Sequence, residues 1–374
     1  MKIAVVKETK SGEKRVALTP AVAQQFIKQG YVCLVENQAG YTSNFSDNAY
    51  QQAGCTLISS KSELLAQADV VIMVNAPSTG EIAMMKSGTI LISYIYHSFN
   101  PELVRELSQK GISAFSMDAM PRISRAQSMD ALSSQNNLAG YKAVIMGADV
   151  MGKIFPLMMT AAGTITPSRV LIFGAGVAGL QAVATAKRLG AIVEVTDVRP
   201  ETKEQVESLG GKFIEVKGEG VKVEGGYAKE VSEEYLAKQK EAVNKSLAQA
   251  DLVITTALVA GKKAPVLITE DQVKLMKLGS VIVDMAVEQG GNCALSELDK
   301  TVVKNGVTIV GQSNLPSTLA QNASELYAKN IYNFLTHLSN KDGMKWELEE
   351  EITKGTLITH QQKIVHPNLQ TATA

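Results

Sequence analysis

The sequence predicts an α/β fold with two open parallel-sheet domains, and three observations predict it. Short β-branched runs alternate with amphipathic helical stretches along most of the chain, which favours βαβ units and a parallel sheet. This alternation ends near residue 120 and begins again at Arg169. The 374 residues also exceed the length of one typical domain, which is roughly 100–200 residues.

The first series of elements predicts an N-terminal α/β domain. Its predicted strands are Lys2–Val6, Tyr31–Glu36, Asp69–Val74 and Thr89–Tyr94. Its predicted helices are Pro20–Gln29 and Pro101–Lys110. Strands alternating with helices in this way predict a parallel sheet.

The second series predicts a six-stranded sheet, the strand number of a complete dinucleotide-binding fold. Its strands are Arg169–Phe173, Ile192–Asp197, Lys212–Glu215, Asp251–Thr255, Val281–Asp284 and Thr308–Gly311. Two long helical stretches, Arg125–Lys153 and Pro316–Leu338, are predicted to carry the chain between the domains, and the tail is predicted to rejoin the first one. The predicted division is residues 1–137 with 320–374, and residues 138–319.

Composition excludes several classes of protein. With 37 basic and 37 acidic residues the net charge is zero, so nothing favours nucleic acid as a partner. The apolar runs are short and broken by glycine, so no direct membrane insertion is predicted, and we expect a soluble intracellular chain. Cys33, Cys55 and Cys293 lie far apart and the four histidines are scattered, so neither a disulfide framework nor a metal site is predicted.

The strongest local motif is the glycine turn Gly174-Ala-Gly176-Val-Ala-Gly179. It follows the strand VLIF, opens a helix, and is followed by a second strand that ends in Asp197, which is the full context of a dinucleotide-binding fingerprint. The glycines let backbone approach a pyrophosphate at the helix N-terminus. Asp197 would bond the ribose hydroxyls and favour NAD, although Arg199 could instead pair with a 2′-phosphate. The structural alternative is a tight turn with Asp197 as a helix cap.

A second constellation is the polar segment Pro121–Tyr141. It opens with Arg122, Arg125 and Gln127, and a helix through Asp130, Ser133, Asn137 and Tyr141 would place these four on one face. Amide, hydroxyl and carboxylate groups can pair with a nicotinamide carboxamide and a ribose. The alternative is a solvated face with an Arg122–Asp130 salt bridge, and composition alone favours that alternative.

Several blocks of the sequence resemble a known family over nearly the whole chain. They are KETKSGEKRVALTP, RISRAQSMDALSSQNNLAGY, FGAGVAGLQAVATAKRLGA, ETKEQVESLGGKF, GGYAKE, TTALVAGKKAPVLIT and GGNCALSE. The family is the NAD(H)-binding component, domain I, of the proton-translocating nicotinamide nucleotide transhydrogenase. The resemblance implies two Rossmann-like open parallel-sheet domains joined by long helices.

The resemblance also implies an activity and a set of partners. Hydride would pass directly between NADH bound here and NADP⁺ bound on a partner, domain III, while membrane domain II couples this step to proton translocation. A homodimer is implied, located in the cytoplasm and held peripherally on the cytoplasmic face of the inner membrane by its partner subunits. No metal is implied.

The site residues implied by the resemblance fall into two groups. The nicotinamide end is held by Arg122, Arg125, Gln127, Asp130 and Ser133, and among these Gln127, Arg122 and Asp130 are the catalytic candidates. The pyrophosphate and adenosine end is held by Gly174, Gly176, Val177, Gly179, Asp197, Val198 and Arg199, with Leu258 at a strand end and Gly226 and Tyr227 on a mobile loop.

Two alternative functions use the same nucleotide pocket. Alanine dehydrogenase, which catalyses NAD-dependent oxidative deamination, shares the start of the sequence. Arg15 matches its substrate arginine, but Asn75 lies in the segment that should carry a lysine, and Tyr96 stands where a histidine is expected, with His97 one place later. The other alternative is a non-catalytic NAD sensor.

Overall fold

The computed structural model describes residues 1–215, 223–224, 227–228, 233–258, 263–340 and 343–370. The chain divides into two compact units, unit 1 with Met1–Gln135 and Pro316–Ala374, and unit 2 with Asn136–Leu315. The division predicted from the sequence has its boundaries at 137/138 and 319/320.

An eight-stranded sheet forms the centre of unit 1. Six strands come from the N-terminal segment, namely β1 (Lys2–Val5), β2 (Val32–Glu36), β3 (Thr56–Ile58), β4 (Val70–Ile72), β5 (Ile90–Ser93) and β6 (Ser113–Ser116). They run parallel in the order β6-β5-β4-β1-β2-β3. Beyond β6 lie Leu357–His360, antiparallel to it, and then Lys363–Ile364. The described part of the tail thus rejoins unit 1.

Helices cover both faces of this sheet. Successive strand residues point to opposite sides, and apolar side chains on each side pack against helices. The helices of unit 1 are α1 (Pro20–Lys28), α2 (Asp47–Gln52), α3 (Lys61–Gln67), α4 (Thr79–Met84), α5 (Pro101–Lys110), Ala320–Leu338, Glu351–Thr356 and Pro367–Gln370. Ile3 and Val5 pack on the side of α1 and Ala320–Leu338, whereas Ala4 packs on the side of α3, α4 and α5. A serine or threonine side chain caps each of α1 to α4, the preferred chemistry at that position.

A seven-stranded sheet forms the centre of unit 2. Its strands are β7 (Arg169–Phe173), β8 (Ile192–Thr196), β9 (Lys212–Phe213), β10 (Leu252–Thr255), β11 (Val281–Asp284), β12 (Thr301–Lys304) and β13 (Val307–Val310). The order is β9-β8-β7-β10-β11-β13-β12, and all neighbours are parallel except the edge pair β12–β13. The first five strands follow the 3-2-1-4-5 order of a doubly wound dinucleotide fold. The prediction missed β12, an edge strand in which three of the four residues are exposed.

One helix that reaches unit 2 starts later than the sequence predicts. The helices of this unit are α6 (Ala131–Val150), which begins in unit 1, α7 (Val177–Arg188), α8 (Lys203–Ser208), α9 (Glu233–Gln249) and α10 (Glu270–Val273). The predicted helix over Arg125–Lys153 was wrong at its start, because Ser124–Met129 forms a 3-10 turn that ends at Asp130. The second crossing, at Leu315/Pro316, lies in a 3-10 turn before Ala320–Leu338.

A β-hairpin of unit 2 was also missed. Met158–Thr160 pairs with Gly163–Ile165 and forms a separate two-stranded sheet. Every residue from 156 to 166 is exposed, and the segment contains no charged residue. Within the part of the chain that the structure describes, no helix has the length and apolar character needed to cross a membrane.

Candidate functional site

The glycine turn lies at the centre of the unit 2 sheet. It connects β7 to α7, and β7 has β8 on one side and β10 on the other. The chain therefore winds in opposite directions from this point, and open α/β sheets bind ligands in the crevice at such a switch point.

Each glycine of the turn has a different steric environment. Gly174 has a φ of +100°, a conformation that side chains rarely adopt, and a Cβ built on Gly179 would lie 1.8 Å from the carbonyl oxygen of Gly174. A Cβ on Gly176 would meet no atom within 4 Å. Gly179 therefore allows the helix to pack on the turn, while Gly176 leaves open space beside the backbone.

The N-terminus of α7 opens onto that space. Gly176 precedes the helix and provides no side-chain cap, and Val177, the first helical residue, is exposed. The first N–H groups of a helix have no partner within it and carry the positive end of the helix dipole. This arrangement suits an anion such as a pyrophosphate.

Asp197 lies beside the turn at the end of β8 and accepts four hydrogen bonds. Its Oδ2 accepts from the Ala175 N–H at 2.6 Å and from Arg199 Nη2 at 2.9 Å. Its Oδ1 accepts from the Arg199 N–H at 2.8 Å and from Arg199 Nε at 3.0 Å. Burial alone would raise the pKa of Asp197, but the hydrogen bonds from Arg199 and Ala175 outweigh it and hold that pKa below its usual value. Asp197 is therefore a carboxylate.

The pairing of Arg199 with Asp197 bears on the nucleotide that the site accepts. Arg199 is bound to Asp197 through two guanidinium nitrogens, so its charge is already neutralised. An ionised carboxyl group offers about four acceptor positions, and the bonds from Ala175 and Arg199 occupy four at Asp197. Asp197 can therefore accept from a ribose only when a donor such as the Arg199 side chain moves aside. Val198, between the two residues, is 57% exposed.

A cavity of about 410 Å³ adjoins Asp197, a volume within the range of small-molecule sites, roughly 300–1,000 Å³. Its lining combines the ends of β7, β8 and β10 with α9 and includes Gly174, Asp197, Val198, Gln239, Val243 and Ala257. The α9 residues are functional candidates that sequence reasoning missed, because no motif marks them.

The end of β10 is fixed by a network around Asn292. Asn292 is fully buried, accepts from the Ala257 N–H at 3.0 Å and donates to the carbonyl oxygens of Ala257 and Pro265. Thr256 Oγ1 donates to the Phe173 carbonyl oxygen at 3.0 Å. These bonds hold the backbone beside the glycine turn, and Leu258 follows with 48% of its surface exposed.

The polar segment of unit 1 differs from the predicted helix face. Asp130 lies before α6 and caps it, since the N–H and Oγ of Ser133 donate to its two carboxylate oxygens at 2.9 and 2.6 Å. Asp130 thus remains in contact with Ser133, its predicted neighbour on the polar face. The structure differs from the prediction in that Asp130 precedes the helix, because aspartate favours the cap position over the helix interior.

The three residues at the start of that segment, Arg122, Arg125 and Gln127, are exposed. Arg125 Nη2 lies 2.9 Å from Glu350 and 3.2 Å from Glu351. Within the described residues no ion pair joins Arg122 to Asp130, so the salt bridge of the solvated-face alternative does not form.

Two predicted site residues follow β9 in the sequence. Gly226 lies outside the described residues, and for Tyr227 only the backbone is described, in a short strand that pairs with Val223–Glu224.

Two of the positions that match an alanine dehydrogenase, Arg15 and Asn75, belong to one hydrogen-bonded cluster with Glu8 and Glu13 in unit 1. Arg15 donates to Glu13 through Nε and Nη2 at 2.8 and 2.7 Å, and through Nη1 to Gln135 at 2.9 Å. Asn75 Nδ2 donates to Glu8 at 2.9 Å and to Glu13 at 3.0 Å. The charge of Arg15 is thus already paired.

The pKa values of the two glutamates move in opposite directions. Burial raises the pKa of Glu8 to about 7, despite hydrogen bonds from Asn75 and Val74 that lower it. Burial also acts on Glu13, but hydrogen bonds and charge from Arg15 outweigh it and lower the pKa of Glu13 to about 2.

Three of the four histidines, His97, His360 and His366, are buried. The tilted rings of His97 and His366 have centroids 4.4 Å apart, and His360 packs at a tilt against Trp346 with centroids 4.2 Å apart. Burial lowers the pKa of all three. Across the described ranges no group of three or more potential metal ligands occurs.

The fold and the glycine turn beside an acidic strand end define a dinucleotide-binding α/β protein. Family models described as "Alanine dehydrogenase/PNT, N-terminal domain" and "Alanine dehydrogenase/PNT, C-terminal domain" match residues 4–139 and 143–367. The chain belongs to the alanine dehydrogenase/PNT family, which confirms both the resemblance and the fold class predicted from the sequence.

The chain is similar to known transhydrogenases and to known alanine dehydrogenases. An NAD(P) transhydrogenase subunit alpha protein of Rhodospirillum rubrum is 54% identical over 99% of each chain. Alanine dehydrogenase of Bacillus subtilis is 30% identical and covers 92% of this chain and 87% of its own length. A solved transhydrogenase structure from Sinorhizobium meliloti superposes with a TM-score of 0.86 at 40% identity, over 98% of this chain and all of that one.

Proposed function

We propose that the chain is the NAD(H)-binding subunit of a proton-translocating NAD(P) transhydrogenase. NADH binds at the glycine turn of unit 2, and its hydride passes directly to NADP⁺ bound on a partner domain III. Membrane domain II couples that transfer to proton movement. The observation that carries nucleotide binding is the Asp197 carboxylate beside the open face of Gly176.

The residues of unit 2 fit the phosphate and adenosine parts of NAD(H). The space beside Gly176 admits a pyrophosphate to the N-terminus of α7, where Gly174 and Gly179 shape the turn and Val177 starts the helix. Asp197, Val198 and Leu258 adjoin the place of the adenosine, and Arg199 moves aside to free Asp197 for the ribose hydroxyls. A carboxylate there repels a 2′-phosphate and favours NAD(H) over NADP(H).

The nicotinamide end is assigned to the polar segment of unit 1, by analogy with the family. Arg122, Gln127 and Ser133 contact the ring and its ribose, and Gln127 orients the ring for transfer. Asp130 acts through Ser133, whose hydroxyl it fixes at 2.6 Å. Arg125 belongs to the same block, and Gly226 and Tyr227 close over the nucleotide.

The chemistry assigns positioning, rather than acid–base work, to this chain. Bound NADH supplies a hydride, and its transfer to NADP⁺ needs two rings in near contact with water excluded. An amide such as Gln127 orients a carboxamide through paired hydrogen bonds without exchanging a proton at neutral pH.

The ionic cluster of unit 1 disfavours the alanine dehydrogenase alternative. A substrate carboxylate needs a free cation, but Arg15 is already bidentate to Glu13 and Asn75 adds no charge. The sensor alternative differs only in lacking transfer activity, so an activity assay separates it.

We propose a homodimer in which the exposed hairpin contacts the second copy. Met159 is 77% exposed and Leu157 58% exposed, and an isolated two-stranded hairpin is marginal in water. Covering such an uncharged hairpin with an identical chain stabilises both. We further propose that the subunit lies in the cytoplasm and is held on the cytoplasmic face of the inner membrane by its partner subunits.

Stopped-flow hydride transfer tests the proposal. The chain with NADH is mixed with a family domain III loaded with NADP⁺, and a parallel sample receives pyruvate and ammonium. NADPH formation that requires both proteins supports the proposal. NADH oxidation by pyruvate and ammonium without the partner moves the assignment to alanine dehydrogenase, and binding without either reaction moves it to a sensor.

A further inference from the structure

Cys33 and Cys55, which are far apart in the sequence, lie side by side in unit 1. Cys33 is in β2, and Cys55 is the residue before β3. These strands are parallel and pair Leu34 with Thr56, so the same register places Cys33 opposite Cys55. Sequence spacing alone did not indicate a pair, because the neighbourhood arises from the βαβ crossover.

The two side chains pack in the same core cluster of unit 1. The neighbouring Cys55 thiol and burial raise the pKa of Cys33, and the Cys33 thiol donates to the carbonyl oxygen of Ala23 at 3.8 Å. Cys33 is 1% exposed and Cys55 is 7% exposed, so a small oxidant reaches Cys55 first.

We propose that Cys33 and Cys55 form a redox-active pair that closes into a disulfide between β2 and β3 when a peroxide reaches Cys55. Neighbouring strands lie about 4.7–4.9 Å apart, and the Cα atoms of a disulfide lie roughly 4.4–6.8 Å apart. The spacing of neighbouring strands lies within that range, so the register of β2 and β3 allows a cross-link between the two sulfurs.

The chemistry balances with a peroxide as the oxidant. The Cys55 sulfur attacks one peroxide oxygen, the O–O bond breaks, and the departing oxygen takes a proton to leave as water or an alcohol. Cys55 is then a sulfenic acid. The Cys33 sulfur attacks the Cys55 sulfur, the S–O bond breaks, and the hydroxide leaves as water with the Cys33 proton. Two thiols are oxidised by two electrons, and the peroxide is reduced.

Cys293 provides an internal control in unit 2. Its thiol is 1% exposed and burial raises its pKa, which makes it a poor nucleophile. Its backbone N–H donates to Asp284 at 2.9 Å, and within the described part of the chain no other cysteine accompanies it.

The test treats the folded, reduced chain with hydrogen peroxide, blocks the remaining thiols after unfolding, and identifies the products by peptide mass spectrometry. We expect two of the three thiols to disappear together, a cross-linked peptide joining Cys33 to Cys55, and full recovery with dithiothreitol. The oxidised chain should melt at a higher temperature than the reduced chain, because the cross-link restricts the unfolded state.

Variants separate the roles of the two sulfurs. Cys33→Ser should leave Cys55 as a sulfenic acid that dimedone labels, Cys55→Ser should leave Cys33 reduced, and Cys293→Ser should form the same cross-link as the parent. Oxidation of Cys293 before the pair, a cross-link that forms only in urea, or cross-links between chains would each overturn the proposal. Peptide mass spectrometry of the oxidised parent chain tests the Cys33–Cys55 cross-link even if a variant fails to fold.

Discussion

Replacing Gly176 and Gly179 by alanine should separate nucleotide binding from stability within one turn. At Gly176 the added methyl group meets no atom within 4 Å, and the φ of −78° suits alanine. At Gly179 it would lie 1.8 Å from the Gly174 carbonyl oxygen, where ordinary contacts are 3.4–4 Å. The first change fills the space that we assign to a phosphate, and the second forces the backbone of Gly174 and Gly179 apart.

The expected magnitudes follow from these distances. A backbone clash cannot be relieved by a rotamer change, so Gly179→Ala should lower the free energy of unfolding by about 3 kcal/mol or more, roughly 6–12 °C in Tm for a unit of this size. Gly176→Ala should change that free energy by less than about 1 kcal/mol. Its NADH affinity should fall at least about tenfold, or about 1.4 kcal/mol.

Thermal melts and titration calorimetry with NADH measure the two effects. The reasoning predicts that Gly176→Ala keeps its Tm and loses affinity, whereas Gly179→Ala loses both. A Gly176→Ala chain that binds NADH as the parent does would refute the assignment of this turn to the pyrophosphate.

Four further changes test other parts of the account. Asp197→Ala should weaken NADH binding in calorimetry, and an unchanged Kd would mean that the ribose assignment is wrong. Gln127→Asn should slow hydride transfer in stopped flow much more than it weakens NADH binding; equal losses would exclude a positioning role. If the proposed dimer forms through the hairpin, Met159→Asp should convert it to a monomer in sedimentation, whereas the exposed Met84→Asp should not. A dimer that persists in Met159→Asp would exclude the hairpin as that contact. Glu8→Gln should remove a pH dependence of the free energy of unfolding. Folding raises the pKa of Glu8 from 4.5 to about 7, so the proton on Glu8 stabilises the folded chain fully below pH 4.5, and this stabilisation is lost as pH rises through 7. The loss amounts to roughly 3 kcal/mol. Urea melts at pH 5 and pH 8 measure this, and an identical pH dependence in parent and variant would contradict it.

The sequence was most informative where one residue pattern repeats over a whole element. The strand at Arg169–Phe173 and the helix at Pro101–Lys110 have the bounds that the pattern predicts. Short strands such as Ser113–Ser116 were missed because SAFS contains no β-branched residue. Their strand conformation depends on pairing with neighbours in the sheet, which the local sequence does not encode.

The candidate site was predictable where a backbone conformation dictates residue type. Gly174 and Gly179 are required by a positive φ and by a close approach, and both constraints are visible in the motif. Two of the four hydrogen bonds that Asp197 accepts come from the Arg199 side chain. They depend on the rotamer of that side chain, which the sequence motif does not show. Asn292 likewise acts through contacts with residues 27 to 35 positions away.

Competition between local roles explains why Asp130 precedes the helix that was predicted to include it. Helical spacing placed it beside Ser133, and it does contact Ser133, but as the cap of α6 rather than from within the helix. The exposed Gln127 remains a prediction of the family resemblance, because exposure in unit 1 fits a ligand contact and a solvated surface equally well.

The most direct test of the central claim follows a deuterium label from the nicotinamide C4 of NADH. The labelled nucleotide is incubated with this chain and an NADP⁺-loaded domain III, and the NADPH formed is analysed by mass spectrometry. Direct transfer predicts that the label appears in NADPH, that none exchanges with water, and that neither protein alone produces labelled NADPH. Label lost to solvent, or transfer without the partner, would contradict the account.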